Sequence, residues 1–207
     1  MSKLETNTID TVSGTSTLQV GSTNTTTITL GASGDTINIP SGATIANSGT
    51  ATGFGGNMTP AFYAERSANQ TIGDAGDVKV QFDNEILDTD SAYDNSTNYR
   101  FTVPSGEGGK YFVFTGLTVY GTVAYSVYDS YLKVYKNGSV FLAEQHYEHD
   151  STPNGSASFH IGRVMDLSAG DYLEVYNYTD VNGGNPVLQG GTGSSNCTYF
   201  GAYKMIL

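Results

Sequence analysis

From about residue 61 onward the chain has one rhythm, and it constrains the fold more than any other feature. Short apolar and aromatic runs alternate with turn signals, and none shows a sustained helical apolar period. The runs at residues 61–65, 78–82, 99–103, 109–123, 130–136, 139–145, 156–165, 171–177 and 198–207 predict strands. Asn137-Gly138, between Leu132-Lys133-Val134-Tyr135 and Val140-Phe141-Leu142, is the strongest hairpin signal. Both central residues of such a turn must accept positive φ, which Asn-Gly does at little steric cost. The last run, from Tyr199 to Leu207, has no polar tail and predicts a strand built into a sheet. These features together predict an all-β jelly-roll sandwich.

The residues before this region differ in kind. Between Leu4 and Glu65 there is no Lys or Arg, and every Tyr stands at position 63 or later. Thr, Ser, Gly and Asn dominate, with isolated aliphatics. Alternations such as Thr17-Leu18-Gln19-Val20 and Thr36-Ile37-Asn38-Ile39 have the period of strands. A shift of 19 residues lays Ile9 on Ile28, Thr17 on Thr36, Leu18 on Ile37 and Val20 on Ile39. Two copies of a repeat are too few to close a core alone. Packing Ile9, Leu18, Val20, Ile28, Ile37 and Ile39 from three chains about a common axis would cover the apolar strip. Residues 1–58 are therefore expected to form a trimeric β stalk, ending in a glycine-rich junction at 48–57, and residues 59–207 a head. A disordered Ser/Thr/Gly linker is the competing expectation, and the spaced aliphatics argue against it.

Charge narrows the range of partners. Charged residues are only 14% of the chain and the formal net charge is −11, so a phosphate backbone or an anionic membrane surface is repelled. No apolar stretch approaches the ~20 residues of a membrane span, and the polar opening Met1-Ser2-Lys3-Leu4-Glu5-Thr6 predicts no secretory signal. A single cysteine excludes an intrachain disulfide. Cys197, beside Thr198-Tyr199-Phe200, is expected to be a small buried hydrophobe.

The order of features from residue 60 resembles the C1q/tumour-necrosis-factor family of compact trimeric jelly rolls. The matching elements are Ala61-Phe62-Tyr63-Ala64, Phe82-Asp83-Asn84, Tyr93-Asp94, Tyr99-x-Phe101-Thr102-x-Pro104 and Gly109-x-Tyr111-Phe112-x-Phe114. Lys136-Asn137-Gly138, Leu167-Ser168-Ala169-Gly170-Asp171 and the closing Phe200-Gly201 complete the pattern. The resemblance implies a homotrimer with apolar and tyrosine side chains packed along its axis. It also implies that calcium is an occasional guest at the trimer apex. Residues 180–196 are looser than the pattern, and no collagen repeat precedes the head. The Thr/Ser/Gly segment looks instead like the N-terminal part of tailed-bacteriophage fibre and appendage proteins.

Residues able to carry chemistry are sparse. Glu144-Gln145-His146-Tyr147-Glu148-His149-Asp150 is the densest ligand cluster, with His146, Glu148 and His149 as metal candidates. His146 and Glu148 would share one face of a strand and His149 the other, so the plain expectation is an exposed loop. Asp88-x-Asp90-x-x-x-Asp94 lacks the glycine and the terminal Glu of a calcium-binding EF-hand loop. There is no Gly-x-Ser-x-Gly elbow and no phosphate loop, and no enzyme is expected. Loops at 147–155 and 176–196 are the expected recognition surfaces, with Tyr147, His149, Asn154, Tyr178, Asn182 and Asn185 as receptor-contact candidates.

The resulting expectation is a non-enzymatic, homotrimeric virion protein of a tailed phage. It would be a short fibre that binds other virion proteins through its N-terminal segment and presents its head to a host glycan or protein. A capsid-bound head fibre or decoration protein and a free glycan-binding module are the alternatives.

Overall fold

The computed structural model describes residues 20, 24, 26–46, 48, 58–124, 126–147, 155–191 and 197–206, and the side chains of all of these except His146 and Tyr147. The chain divides into two compact units, Met1–Ala51 and Thr52–Leu207.

In the first unit two tight turns follow each other. The Asp35 N–H donates to the Ala32 carbonyl and the Ala43 N–H to the Pro40 carbonyl, both at 3.0 Å. Gly34 and Gly42 hold the positive φ that the third position of each turn demands. The described residues beside these turns form no strand, so the strand expected at 36–39 is not seen among the described residues. Val20, Ile28, Ile37 and Ile39 are accordingly between 46% and 61% exposed. Ile9 and Leu18 lie outside the described residues.

The second unit is a jelly-roll sandwich of antiparallel strands, with no helix among the described residues. Its first sheet, sheet A, contains β1 (Ala61–Glu65), β2 (Gln70–Thr71), β4 (Asn84–Asp88), β7 (Gly109–Gly121), β10 (Ser156–Leu167), β12 (Pro186–Leu188) and β13 (Tyr199–Lys204). The second, sheet B, contains β3 (Val78–Lys79), β5 (Tyr93–Asp94), β6 (Arg100–Thr102), β8 (Val127–Lys136), β9 (Ser139–Tyr147) and β11 (Tyr172–Val181). β7 is the spine of sheet A: β10 runs along one side, and β13 then β12 share the other. β1 lies between β13 and β4. In sheet B the order is β5-β6-β11-β8-β9, with β3 added to β11.

The two sheets enclose an aromatic core. Phe62 stacks on Tyr93 and on Phe101, with centroids 4.8 Å away in each case, and meets Phe200 edge-on at 4.9 Å. Phe82, Phe101, Tyr111 and Phe200 are completely buried. The buried tyrosine hydroxyls find backbone acceptors, Tyr93 at Phe82 O and Tyr111 at Glu107 O. Truncating Phe200 to Ala is expected to cost ~3–5 kcal/mol, read as a lower midpoint in urea unfolding.

Two turns legible in the sequence lock onto each other at one end of the sandwich. Asn137 and Gly138 both have positive φ, at 54° and 79°. The Asn137 amide donates to Asp171 Oδ1 at 2.7 Å, and its oxygen accepts the Tyr172 N–H at 2.9 Å. Lys136 Nζ lies 2.8 Å from Asp171 Oδ2, which also accepts the Ser168 N–H. The Lys136 ammonium, with the Asn137 amide and the Ser168 N–H, lowers the Asp171 pKa from 3.8 to about 2. A depressed carboxylate stabilises the fold fully above its unfolded value and progressively less as pH falls through its folded one. Asp171→Asn should therefore cost ~1 kcal/mol at neutral pH, a figure discounted for solvent screening. It should also flatten the acid limb of stability between pH 3.8 and about 2, measured by urea titrations across that window.

Candidate assembly face

β7 carries the argument. In antiparallel strands with one wet side, apolar residues alternate with polar ones. Tyr111-Phe112-Val113-Phe114 does not alternate. Tyr111, Val113, Leu117 and Val119 point inward and are 0% exposed. Phe112 and Phe114, between them, must therefore stand on the outer face of sheet A.

The register assembles that face strand by strand. Phe112 faces Tyr203 on β13 and Val164 on β10, and Phe114 faces Gly201 and Gly162. Gly116 faces Tyr199 and His160, while Tyr63 on β1 lies beyond Gly201. Rings neighbour one another throughout: Phe112–Phe114 at 5.9 Å, Phe112–Tyr203 at 5.7 Å, Phe114–Tyr199 at 6.2 Å and Tyr63–Phe114 at 6.3 Å. His160 Nδ1 and the Tyr199 hydroxyl are 3.1 Å apart.

The glycines explain how bulky rings make a level surface. A Cβ on Gly201 would sit 2.4 Å from the tip of the Phe114 ring, and one on Gly116 would meet His160 Nδ1 at 2.6 Å and the Tyr199 ring at 2.9 Å. The Cβ of a residue at 162 would lie 3.2 Å from Phe112. Phe114, Tyr199 and Phe112 thus each reach over a glycine on the adjacent strand. The result is a half-buried aromatic plate with Val164 and Leu87, 55% and 48% exposed, at its margins. Burial, helped by the hydrogen bond to Glu65, pushes the Tyr63 hydroxyl up to about 12.

Four further tyrosines lie on the opposite sheet. Tyr131, Tyr135, Tyr176 and Tyr178 stand on the outer face of sheet B, with Tyr135 stacked on Tyr176 at 4.2 Å and Tyr131 edge-on to Tyr178 at 5.7 Å. The outer face of sheet A therefore carries only part of the tyrosine complement.

The residues expected to carry recognition are dispersed. Tyr178 is not in a loop: it lies within β11, because the strand runs on to Val181. Pro186, Val187 and Leu188 form β12 and are buried, so the stretch read as a loose loop contributes a strand. Asn182 and Asn185 are exposed on the turn between these strands. Glu144, His146 and Tyr147 continue β9 instead of forming a loop, while Glu148, His149 and Asn154 lie outside the described residues. Among the described residues no three His, Cys, Asp or Glu side chains group as metal ligands. Asp88 and Asp94 serve as turn caps. Asp88 accepts the N–H groups of Ala92 and Tyr93, and Asp94 those of Ser96, Thr97 and Asn98. Those donors, the Thr97 N–H first, hold the Asp94 carboxyl well below the usual range. Cys197 is exposed, not buried, because it precedes β13 and the alternation turns Thr198 and Phe200 inward instead.

Two antiparallel sheets with this connectivity define the class, a C1q/TNF-like jelly-roll sandwich. Eiger TNF from S. frugiperda has this fold, with a TM-score of 0.51 at 12% identity over 70% of this chain and 91% of that one. The globular domain of zebrafish complement 1qA protein aligns with a TM-score of 0.48 at 16% identity, over 71% and 98% of the two chains. No family model and no curated protein matches the chain. No helix among the described residues is long and apolar enough to cross a membrane.

Proposed function

We propose that this protein is a non-enzymatic, homotrimeric structural component of a tailed-phage virion: a short fibre with residues 1–58 as attachment stalk and the jelly-roll head turned toward the host surface. The observation that carries the reading is the aromatic plate on the outer face of sheet A. A plate of rings that one copy leaves half in water becomes a core when three copies close around it. The strip of Val20, Ile28, Ile37 and Ile39, exposed in a single chain, supports the same stoichiometry for the stalk. Its residues have backbone groups that strands of other copies can pair.

Light scattering on the full chain and on residues 59–207 tests the assembly, and a mass of three copies in both is expected. A monomer in both would sink the reading. The virion role is tested separately. Full-length protein should bind assembled particles through residues 1–58, and soluble head should compete with virions for host cells. Binding to capsid shells with a head dispensable for infection would favour a decoration protein instead. Sugar binding without any particle association would favour a free lectin-like module.

A further inference from the structure

One cation of the head stands apart from the rest. Arg66, Lys79, Lys110, Lys133, Lys136 and Lys204 each hold a carboxylate. Among the described residues Arg100 and Arg163 hold none, in a chain whose carboxylates outnumber its cations by 20 to 9. Arg163 is simply exposed on β10. Arg100 is different, because it has carboxylate residues on both sides. On β6 it faces Asp94 of β5 and Glu174 of β11 in direct register. Both neighbours are already occupied. Asp94 spends its oxygens on the N–H groups of Ser96, Thr97 and Asn98 and on the Asn98 amide. Glu174 is held by Lys79 Nζ at 2.5 Å. Arg100 instead lies over the Tyr172 ring, 4.6 Å from its centroid.

A ring holds a guanidinium in place while leaving its fork of N–H donors unspent. Arg100 lines a groove of about 400 Å³ with Asp90, Ser91, Asp94, Asn98 and Thr102, over a floor of buried Ala92 and Tyr93. Ser91 in the groove wall and Tyr99 between Asn98 and Arg100 both have positive φ, at 52° and 49°. Such strain in non-glycine residues gathers where a structure must fix a surface.

We propose that this groove binds the carboxylate-bearing unit of an acidic glycan, of the uronate or sialate type. The Arg100 fork takes the carboxylate, the bidentate match that guanidinium geometry favours. Ser91, Asn98, Thr102 and the exposed Asp90 carboxylate offer partners for neighbouring hydroxyls. A single positive charge beside two acidic residues disfavours a polyanion. The groove is separate from the aromatic plate, so the site needs only the folded head and stands whether or not the virion reading does.

Ligand-observed saturation-transfer NMR on the full chain, titrated with methyl β-glucuronide and with the methyl glycoside of N-acetylneuraminate, tests the site. At least one should bind saturably, and uncharged methyl β-glucoside should bind at least about tenfold more weakly. Arg100→Gln should weaken the acidic sugar at least about tenfold with an unchanged thermal melt, while Arg163→Gln should change nothing. Should Arg100→Gln not fold, Arg100→Lys keeps the charge without the fork and should still weaken binding. Absence of binding by both acidic sugars would overturn the proposal, as would binding indifferent to Arg100 or equal for the glucoside. Binding of inorganic phosphate alone would also overturn it.

Discussion

Replacing Phe114 by Glu is expected to turn the proposed trimer into monomers while leaving the sandwich folded. Phe114 lies at the middle of the plate, over Gly201 and ringed by Phe112, Tyr199 and Tyr63. In one copy the new carboxylate stays in water, so the core beneath, built from Val113 and Thr115, is untouched. In the assembly the same group would be stripped of water without a cation to meet it. Leaving a charge buried and unpaired costs on the order of 3–5 kcal/mol at each interface. Light scattering should report a threefold fall in mass with an unchanged far-ultraviolet spectrum. A trimer that survives the substitution would mean that a different face mediates assembly. Gly201→Val should act in the same direction, because its side chain would displace the Phe114 ring and break the level surface.

The second large effect lies in sheet B. Glu174 has a side chain only 8% exposed, and Lys79 Nζ holds it at 2.5 Å. The Lys79 ammonium stands over the Tyr176 ring, with Nζ 5.7 Å from the ring centroid. Lys79→Met preserves much of the stem but leaves the carboxylate buried without its cation, a loss of ~3–5 kcal/mol. For a domain of this size that corresponds to a melting temperature lower by on the order of 10 °C. The double variant Lys79→Met with Glu174→Leu should recover most of the loss, since an apolar pair of similar volume replaces the ion pair at little cost. A single variant that melts with the parent would show that the pair is not formed in solution.

Much of the head was legible because its strands obey local rules. Asn137-Gly138 announced its hairpin through backbone conformation, and the aromatic residues at 82, 93, 101, 111 and 200 all entered the core. β1 was read to the residue. The short strands β2, β4, β5 and β12 were not read, since two to five residues carry too little periodicity and owe their pairing to longer neighbours. β4 in addition contains a bulge opposite Tyr63 and Ala64, which breaks the alternation. The plate had a visible signal in the unalternating run at 111–114, but its flatness depends on which glycine faces which ring, and that is a matter of register. Arg100 was invisible for a related reason: what distinguishes it is that both neighbouring carboxylates are spent elsewhere. Loop composition misplaced Tyr178 and residues 186–188, which proved to be strand.

The placement of β1 has a mechanical meaning. This first strand of the head lies in the interior of sheet A, hydrogen-bonded to β13 on one side and β4 on the other. Its chain enters beside the end of β13, where the Lys204 N–H donates to the Pro60 carbonyl. Tension transmitted through residue 60 along the strand therefore pulls on two ladders at once and in shear. An edge strand pulled at right angles would peel one bond at a time; here the bonds must yield together. In the proposed fibre, a head tethered in this way would resist being torn from its anchor by flow or by a moving cell, even where its thermal stability is ordinary.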